Sequence, residues 1–216
     1  MLTVPPSNPA RVVVLASGTG SLLRALLDAS SAPEHPVRIV ALGVDRECAA
    51  TEHAHAAGVT TFRVSLRDFA TREQWDVALA DAVAAHTPDL VVTAGFMKIL
   101  GPRFLDFFAG RIVNSHPALL PSFPGAHAVR DALAYGVKVT GTTVHLVDGG
   151  IDTGPILAQE AVVVRSDDDE DTLHERIKVV ERRLLADVVT AIAVHGVVSD
   201  GRKAMIGSEV GNEDSQ

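Results

Sequence analysis

Short apolar runs alternate with amphipathic stretches through the first half of the chain. Val12-Val13-Val14-Leu15-Ala16 reads as a buried strand, Ser17 to Ser21 as a tight turn and Leu22 to Leu27 as a helix. Pro36 to Val44, Thr60 to Val64, Asp89 to Ala94 and Arg111 to Ser115 repeat the strand signature. Between them, Glu47 to Ala57, a stretch from Thr71 to about His86, and Pro102 to Phe108 read as helices, the second opened by the capping-box pattern Thr71-Arg72-Glu73-Gln74. Strands alternating with helices predict a doubly wound, mostly parallel sheet in a single α/β domain.

The pattern changes after residue 125. Ala126 to Tyr135 is helical, and Val139 to Val147 alternates Thr and Val as an antiparallel strand does. Ile156 to Val164 forms another strand, and about Thr172 to His195 a long C-terminal helix. The acidic run Asp167 to Asp171 before that helix complements its dipole. Residues 1–10 and 207–216 are expected to be disordered tails around a domain spanning 11–206.

Composition agrees with this layout. Hydrophobic residues are 47% and aromatics only 4%, so the core must be built of Val, Leu, Ile and Ala, as suits a sheet covered on both faces. A formal charge of −8 argues against an extended nucleic-acid surface but leaves room for one phosphate in a local pocket. Cys48 is the only cysteine, so no intrachain disulfide forms. No run reaches the roughly 18 apolar residues of a membrane span, and the proline-containing start lacks a signal-peptide core. The expectation is a cytoplasmic protein.

Chemistry concentrates at strand ends. Asn114 and His116 lie two apart at the end of the fifth strand, on one side of it, where an open α/β sheet keeps its ligands. Asp152 sits in the glycine-flanked loop from Asp148 to Gly154. A carboxylate beside His116 would raise the imidazole pKa, and an asparagine amide can donate to an oxyanion. That set suits acyl transfer without a covalent enzyme intermediate. The turn carrying Gly18, Thr19, Gly20 and Ser21 offers backbone N–H groups to an anion, equally the need of a bare strand-to-helix turn. Leu23 stands where a dinucleotide fingerprint needs its third glycine, and the Walker lysine is absent, so a single phosphate fits better than a pyrophosphate. Glu52, His53 and His55 could suggest a metal, but residues two apart on a helix, such as His53 and His55, do not share a face, which favours a solvated surface.

In order along the chain stand Gly95-Phe96-Met97-Lys98-Ile99-Leu100, Asn114-x-His116-Pro-x-Leu-Leu-Pro121, Pro124-Gly125-x-His127, Gly141-Thr-x-Val-His145 and Asp152-x-Gly-Pro155. This series resembles the 10-formyltetrahydrofolate-dependent formyltransferases, most nearly the branch acting on the amine of phosphoribosylglycinamide in purine synthesis. It runs from about Arg11 to Lys203.

The resemblance implies His116 as general acid, Asn114 as oxyanion donor, and Asp152 as the group that positions a water and raises the His116 pKa. It places the ribonucleotide phosphate on Gly18 to Ser21 and Leu22, and the ribose on Glu181. It assigns the folate co-substrate to Arg72, Phe96, Met97, Lys98, Ile99, Leu100, Asn114 and the loop Asp148, Gly149, Gly150 and Ile151. His127 and His145 would line the site. It implies no metal, no nucleic acid and a homodimer.

Three departures stand out: Lys98 for an arginine, Leu22 for an asparagine, and Gly149-Gly150 for bulkier or acidic residues. A tRNA-acting relative would carry a further C-terminal domain, and only 35 residues follow Glu181; a hydrolase relative would carry a domain before Arg11. A sugar-nucleotide formyltransferase and a non-catalytic folate-binding module are the remaining alternatives.

Overall fold

A computed structural model describes residues 1–207. In chain order the elements are β1 (Leu2–Val4), β2 (Ala10–Ala16), α1 (Ser21–Ala29), β3 (Val37–Val44), α2 (Ala50–Ala56), β4 (Thr60–Arg63), α3 (Arg72–Ala84), β5 (Leu90–Thr93), α4 (Pro102–Phe107), β6 (Ile112–His116), α5 (Ala128–Tyr135), β7 (Val139–Leu146), β8 (Ile156–Val163), α6 (Glu170–His195), β9 (Val197–Asp200) and β10 (Lys203–Ile206). All strands join one sheet in the order β1-β9-β10-β8-β7-β6-β5-β2-β3-β4. The β6-β5-β2-β3-β4 half is parallel; β7 and β8 continue it antiparallel. The α/β class, the antiparallel C-terminal strands and the long last helix agree with the sequence pattern.

Alternation along β2 shows why the sheet is two-sided. Val12, Val14 and Ala16 pack with Leu23, Leu26, Leu185 and Ile192 from α1 and α6. Val13 and Leu15 face the other way, onto Trp75 and Leu79 of α3 and onto Phe104 and Phe108. Both faces of the strand are therefore dry, as a central parallel strand requires. Asp76 of α3, buried, accepts N–H bonds from Gly101 and Arg103, each at 2.8 Å, and so caps α4 from a neighbouring helix.

Several expectations change. Residues 1–10 are not a loose tail throughout, because Leu2–Val4 pairs antiparallel with β9. The hairpin β9–β10 was not anticipated. Helix α2 starts at Ala50, three residues later than the sequence indicates. At α3, Thr71 accepts from the Gln74 N–H, but Gln74 returns its side chain to the Ala70 N–H, so the box is offset by one residue. The reciprocal box lies instead at α6, between Asp169 and Thr172, while Asp168 pairs with Arg176 at 2.6 Å. The acidic run thus serves the helix start. The expected tail at 207–216 lies, apart from Gly207, outside the described residues.

The chain reverses its winding direction between β2 and β5, and the crevice at their C-terminal ends is the position such sheets use for ligands. The loops there are tied together: the Ser17 N–H donates to the Gly95 carbonyl at 3.2 Å, and the Met97 N–H donates to the Ser17 hydroxyl at 2.8 Å.

Candidate active site

Strand β6 carries Asn114 and His116 out of the core on one side, and Ser115 between them on the other. His116 is buried, and both ring nitrogens face acceptors. Nε2 lies 2.8 Å from the Phe123 carbonyl oxygen and Nδ1 lies 3.3 Å from Asp152 Oδ2. Only a doubly protonated ring satisfies both. Burial opposes that charge and holds the His116 pKa below the ordinary imidazole value, even though Asp152 and the Phe123 carbonyl pull it up. The expected raising effect of Asp152 is therefore present but outweighed by desolvation, and the net direction is the reverse of the one anticipated.

Asp152 is itself pushed up by burial. The Gly125 N–H at 2.7 Å and the His116 ring at 3.3 Å help to offset this, and the net effect holds its pKa below the ordinary carboxylate value, so it stays ionised. Phe123 and Asp152, with φ of 54° and 53°, are two of the three non-glycine residues with left-handed backbone among the described residues. Both hold His116, an unfavourable conformation retained where it places an acceptor.

Asn114 sits between Thr93 and His145. The Thr93 hydroxyl lies 2.6 Å from Asn114 Oδ1, and Asn114 Nδ2 lies 3.1 Å from His145 Nε2. These residues open onto a cavity of about 150 Å³ whose wall includes Phe96, Ile99, Leu100, Leu105 and Val147. Lys98, Asp148, Gly149, Gly150, Ile151 and Asp152 complete it. Most of the residues expected around the folate thus surround one space.

Two do not line it. Met97 is 68% exposed. Arg72 stacks 5.5 Å over the Trp75 ring and donates to the Ile99 carbonyl, bracing the loop from behind. Lys98 Nζ pairs with Asp45 Oδ2 at 3.1 Å, so its charge is spent within the protein. Arg46, Ser17 and Lys98 together outweigh the effect of burial and hold Asp45 at about 2.

The turn between β2 and α1, read as the phosphate turn, is built around a left-handed glycine. Gly20, at φ 75°, caps α1, and a Cβ there would lie 2.6 Å from Ala50 Cα. Leu22 points into the core, so only its backbone can serve a ligand. Thr19 and Ser21 open onto a separate groove of about 660 Å³ together with Arg24, His53 and Arg182. His53, read from its own helix as a solvated residue, thus borders the turn between β2 and α1. Glu181 is 6% exposed and accepts from the Ser115 hydroxyl at 2.5 Å. Burial raises its pKa more than Ser115, Lys178 and Arg182 lower it. His145 belongs to the Asn114 cluster, whereas His127 is exposed at the start of α5. Thr93, Ser115 and Phe123 were not singled out from sequence; Ser115 and Phe123 had nearness to Asn114 and His116 along the chain as a signal, whereas Thr93 is brought beside Asn114 only by strand pairing.

The formyl transferase family model matches residues 10–189. The chain belongs to the formyl transferase family. It is 66% identical over 209 residues to the phosphoribosylglycinamide formyltransferase of Mycobacterium tuberculosis (strain ATCC 25618 / H37Rv), covering 97% of both chains. The Escherichia coli (strain K12) protein of that name is 37% identical over 195 residues, 90% of this chain and 89% of that one. Among solved structures, the glycinamide ribonucleotide transformylase 1 of Symbiobacterium toebii superposes with a TM-score of 0.89 at 38% identity, covering 92% of this chain and 94% of that one. As a family member the chain is a formyltransferase, and its sheet is the one these enzymes share. No described helix is long and apolar enough to cross a membrane.

Proposed function

We propose that this formyltransferase moves the formyl group of 10-formyltetrahydrofolate to the amine of 5-phosphoribosylglycinamide, giving the formylated ribonucleotide and tetrahydrofolate in purine synthesis. The observation that carries this reading is that Asn114 and Asp152 line one largely apolar cavity, with His116 held directly behind it against Asp152 at 3.3 Å. A fixed amide donor, an acid and a carboxylate are what direct acyl transfer needs, and binding alone needs none of the three together.

The apolar wall suits a flat heteroaromatic ring, and the exposed backbone of loop 148–151 suits its polar edge. The cavity of about 150 Å³ is smaller than the ~300–1,000 Å³ of most ligand sites, and the glycine-containing loop 148–151 forms one of its walls. Asn114 donates to the carbonyl oxygen as the amine attacks, His116 supplies a proton toward the departing folate nitrogen, the proton shed by the amine as its C–N bond forms returns His116 to its acid form, and Asp152 orients the His116 ring. Losing one such oxyanion donor typically costs ~10²–10³-fold in turnover, and general acid catalysis contributes ~10²–10⁴-fold. The phosphate is assigned to the backbone of residues 18–22 and the ribose to Glu181. Small-molecule substrates, a cytoplasmic location and a homodimer follow from the same reading; light scattering checks the last.

The test is tetrahydrofolate release from 10-formyltetrahydrofolate with and without phosphoribosylglycinamide. Release that depends strictly on the ribonucleotide supports the reading. Release with water alone marks a hydrolase, and binding without release marks a non-catalytic module.

A further inference from the structure

Asn114 can act as an oxyanion donor only if its amide is turned the right way round. A carboxamide has two faces of opposite polarity, and β6 alone does not choose between them. Two neighbours choose. On one side the Thr93 hydroxyl lies 2.6 Å from Oδ1, the length of an O–H···O bond and short for an N–H···O bond. On the other side Nδ2 lies 3.1 Å from His145 Nε2.

His145 is fixed independently. Its Nδ1 lies 2.9 Å from the Leu146 carbonyl oxygen, an acceptor only, so Nδ1 carries the hydrogen. Nε2 then presents a lone pair, which takes one hydrogen from Asn114. At 3.7 Å, Asp152 Oδ1 is beyond hydrogen-bond reach of that nitrogen. The second Asn114 N–H is left for the cavity, which Thr93, Asn114, His145 and Asp152 line together.

We infer that Thr93 is a positioning residue for formyl transfer: its buried hydroxyl donates to Asn114 Oδ1 and so, with the His145 lone pair opposite, turns an amide N–H and not the amide oxygen toward the reacting carbonyl. This rests on the assignment of Asn114 made above. The register supports it, because β5 and β6 pair with Thr93 directly beside Asn114. Without the hydroxyl, Oδ1 loses its donor and the inverted amide becomes competitive. The Thr93 hydroxyl has a second acceptor in the Val113 carbonyl at 3.3 Å, so it has a partner in the inverted state as well.

The test compares Thr93→Val, Thr93→Ser and Asn114→Ala for kcat and for KM toward both substrates. Thr93→Val should lower kcat about tenfold, the effect of one net hydrogen bond, with both KM values unchanged. Thr93→Ser should stay within about twofold of the parent, because it keeps the donor. Near-parental kcat in Thr93→Val, or equal losses in both Thr93 variants, overturns the inference while a crippled Asn114→Ala leaves the catalytic reading standing. An active Asn114→Ala overturns both. Should Thr93→Val fail to fold, the ¹⁵N resonances of His145 in the parent protein decide. A hydrogen on Nδ1 with Nε2 as acceptor supports the inference, and a hydrogen on Nε2 overturns it.

Discussion

The Ser115 hydroxyl donates to Glu181 at 2.5 Å, joining strand β6 to the middle of α6 through the face opposite Asn114 and His116. The residue between the two positions assigned to catalysis thus holds the side chain assigned to the ribose. Ser115→Ala should raise KM for the ribonucleotide several-fold and leave KM for the folate within about twofold, since one hydrogen bond typically contributes ~1 kcal/mol. Steady-state kinetics with each substrate varied in turn checks this.

Glu181 also makes a stability prediction. Burial raises its pKa, so its contribution to stability is present below the unfolded carboxylate value and is lost as pH rises through the folded one. Glu181→Gln should therefore unfold at a higher temperature near neutral pH, by ~2–4 °C per kcal/mol for a domain of this size, with the difference shrinking as pH falls through the raised folded value and gone below the unfolded value of ~4.3. Thermal unfolding across pH reads the difference directly.

Asp45 has the opposite sign. It is held at about 2 by Arg46, Ser17 and Lys98 against the effect of burial. Its stabilisation is complete above the unfolded value of ~3.9 and disappears as pH falls toward the folded one. Asp45→Asn should cost about 2 kcal/mol at neutral pH, with parent and variant converging between pH ~4 and ~2. Urea unfolding at stepped pH is the measurement.

Burial lowers the His116 pKa below the ordinary imidazole value, and Asp152 partly opposes this. An acid that must be protonated fails as pH rises through its pKa, so kcat/KM should fall on the alkaline side from below pH ~6.5. Asp152→Asn removes the raising charge and should move that limb to still lower pH. A limb that moves upward would contradict the assigned pairing.

Gly20→Ala should lose ~1–2 kcal/mol from left-handed backbone alone, with a further loss from the 2.6 Å approach to Ala50 Cα. Because Gly20 caps α1 at the anion turn, KM for the ribonucleotide should rise more than KM for the folate. Parallel calorimetry and kinetics separate the two effects.

The central sheet was legible because β2, β3, β5 and β6 are apolar runs bounded by turn residues, and burial on both faces writes itself into composition. The edge was not. Leu2–Val4 is only three residues before Pro5-Pro6 and takes its structure from pairing with β9, whereas the β9–β10 hairpin carries a legible turn signal in Asp200-Gly201 that was passed over because its strands are only four residues long. At the site, the Asn114–His116 pair was readable from strand periodicity. Thr93 was not, because its place beside Asn114 depends on the sheet order β2-β5-β6. The direction of the His116 shift was misread because desolvation comes from the whole fold, whereas Asp152 is a partner visible in the chain.

The most direct measurement is a single-turnover rapid quench with 10-formyltetrahydrofolate labelled in the formyl carbon, in the parent and in His116→Ala. Label should pass straight to phosphoribosylglycinamide with none retained on protein, and the variant should slow this step by ~10²–10⁴-fold. Label bound covalently to the protein, or an unchanged rate in His116→Ala, would contradict it.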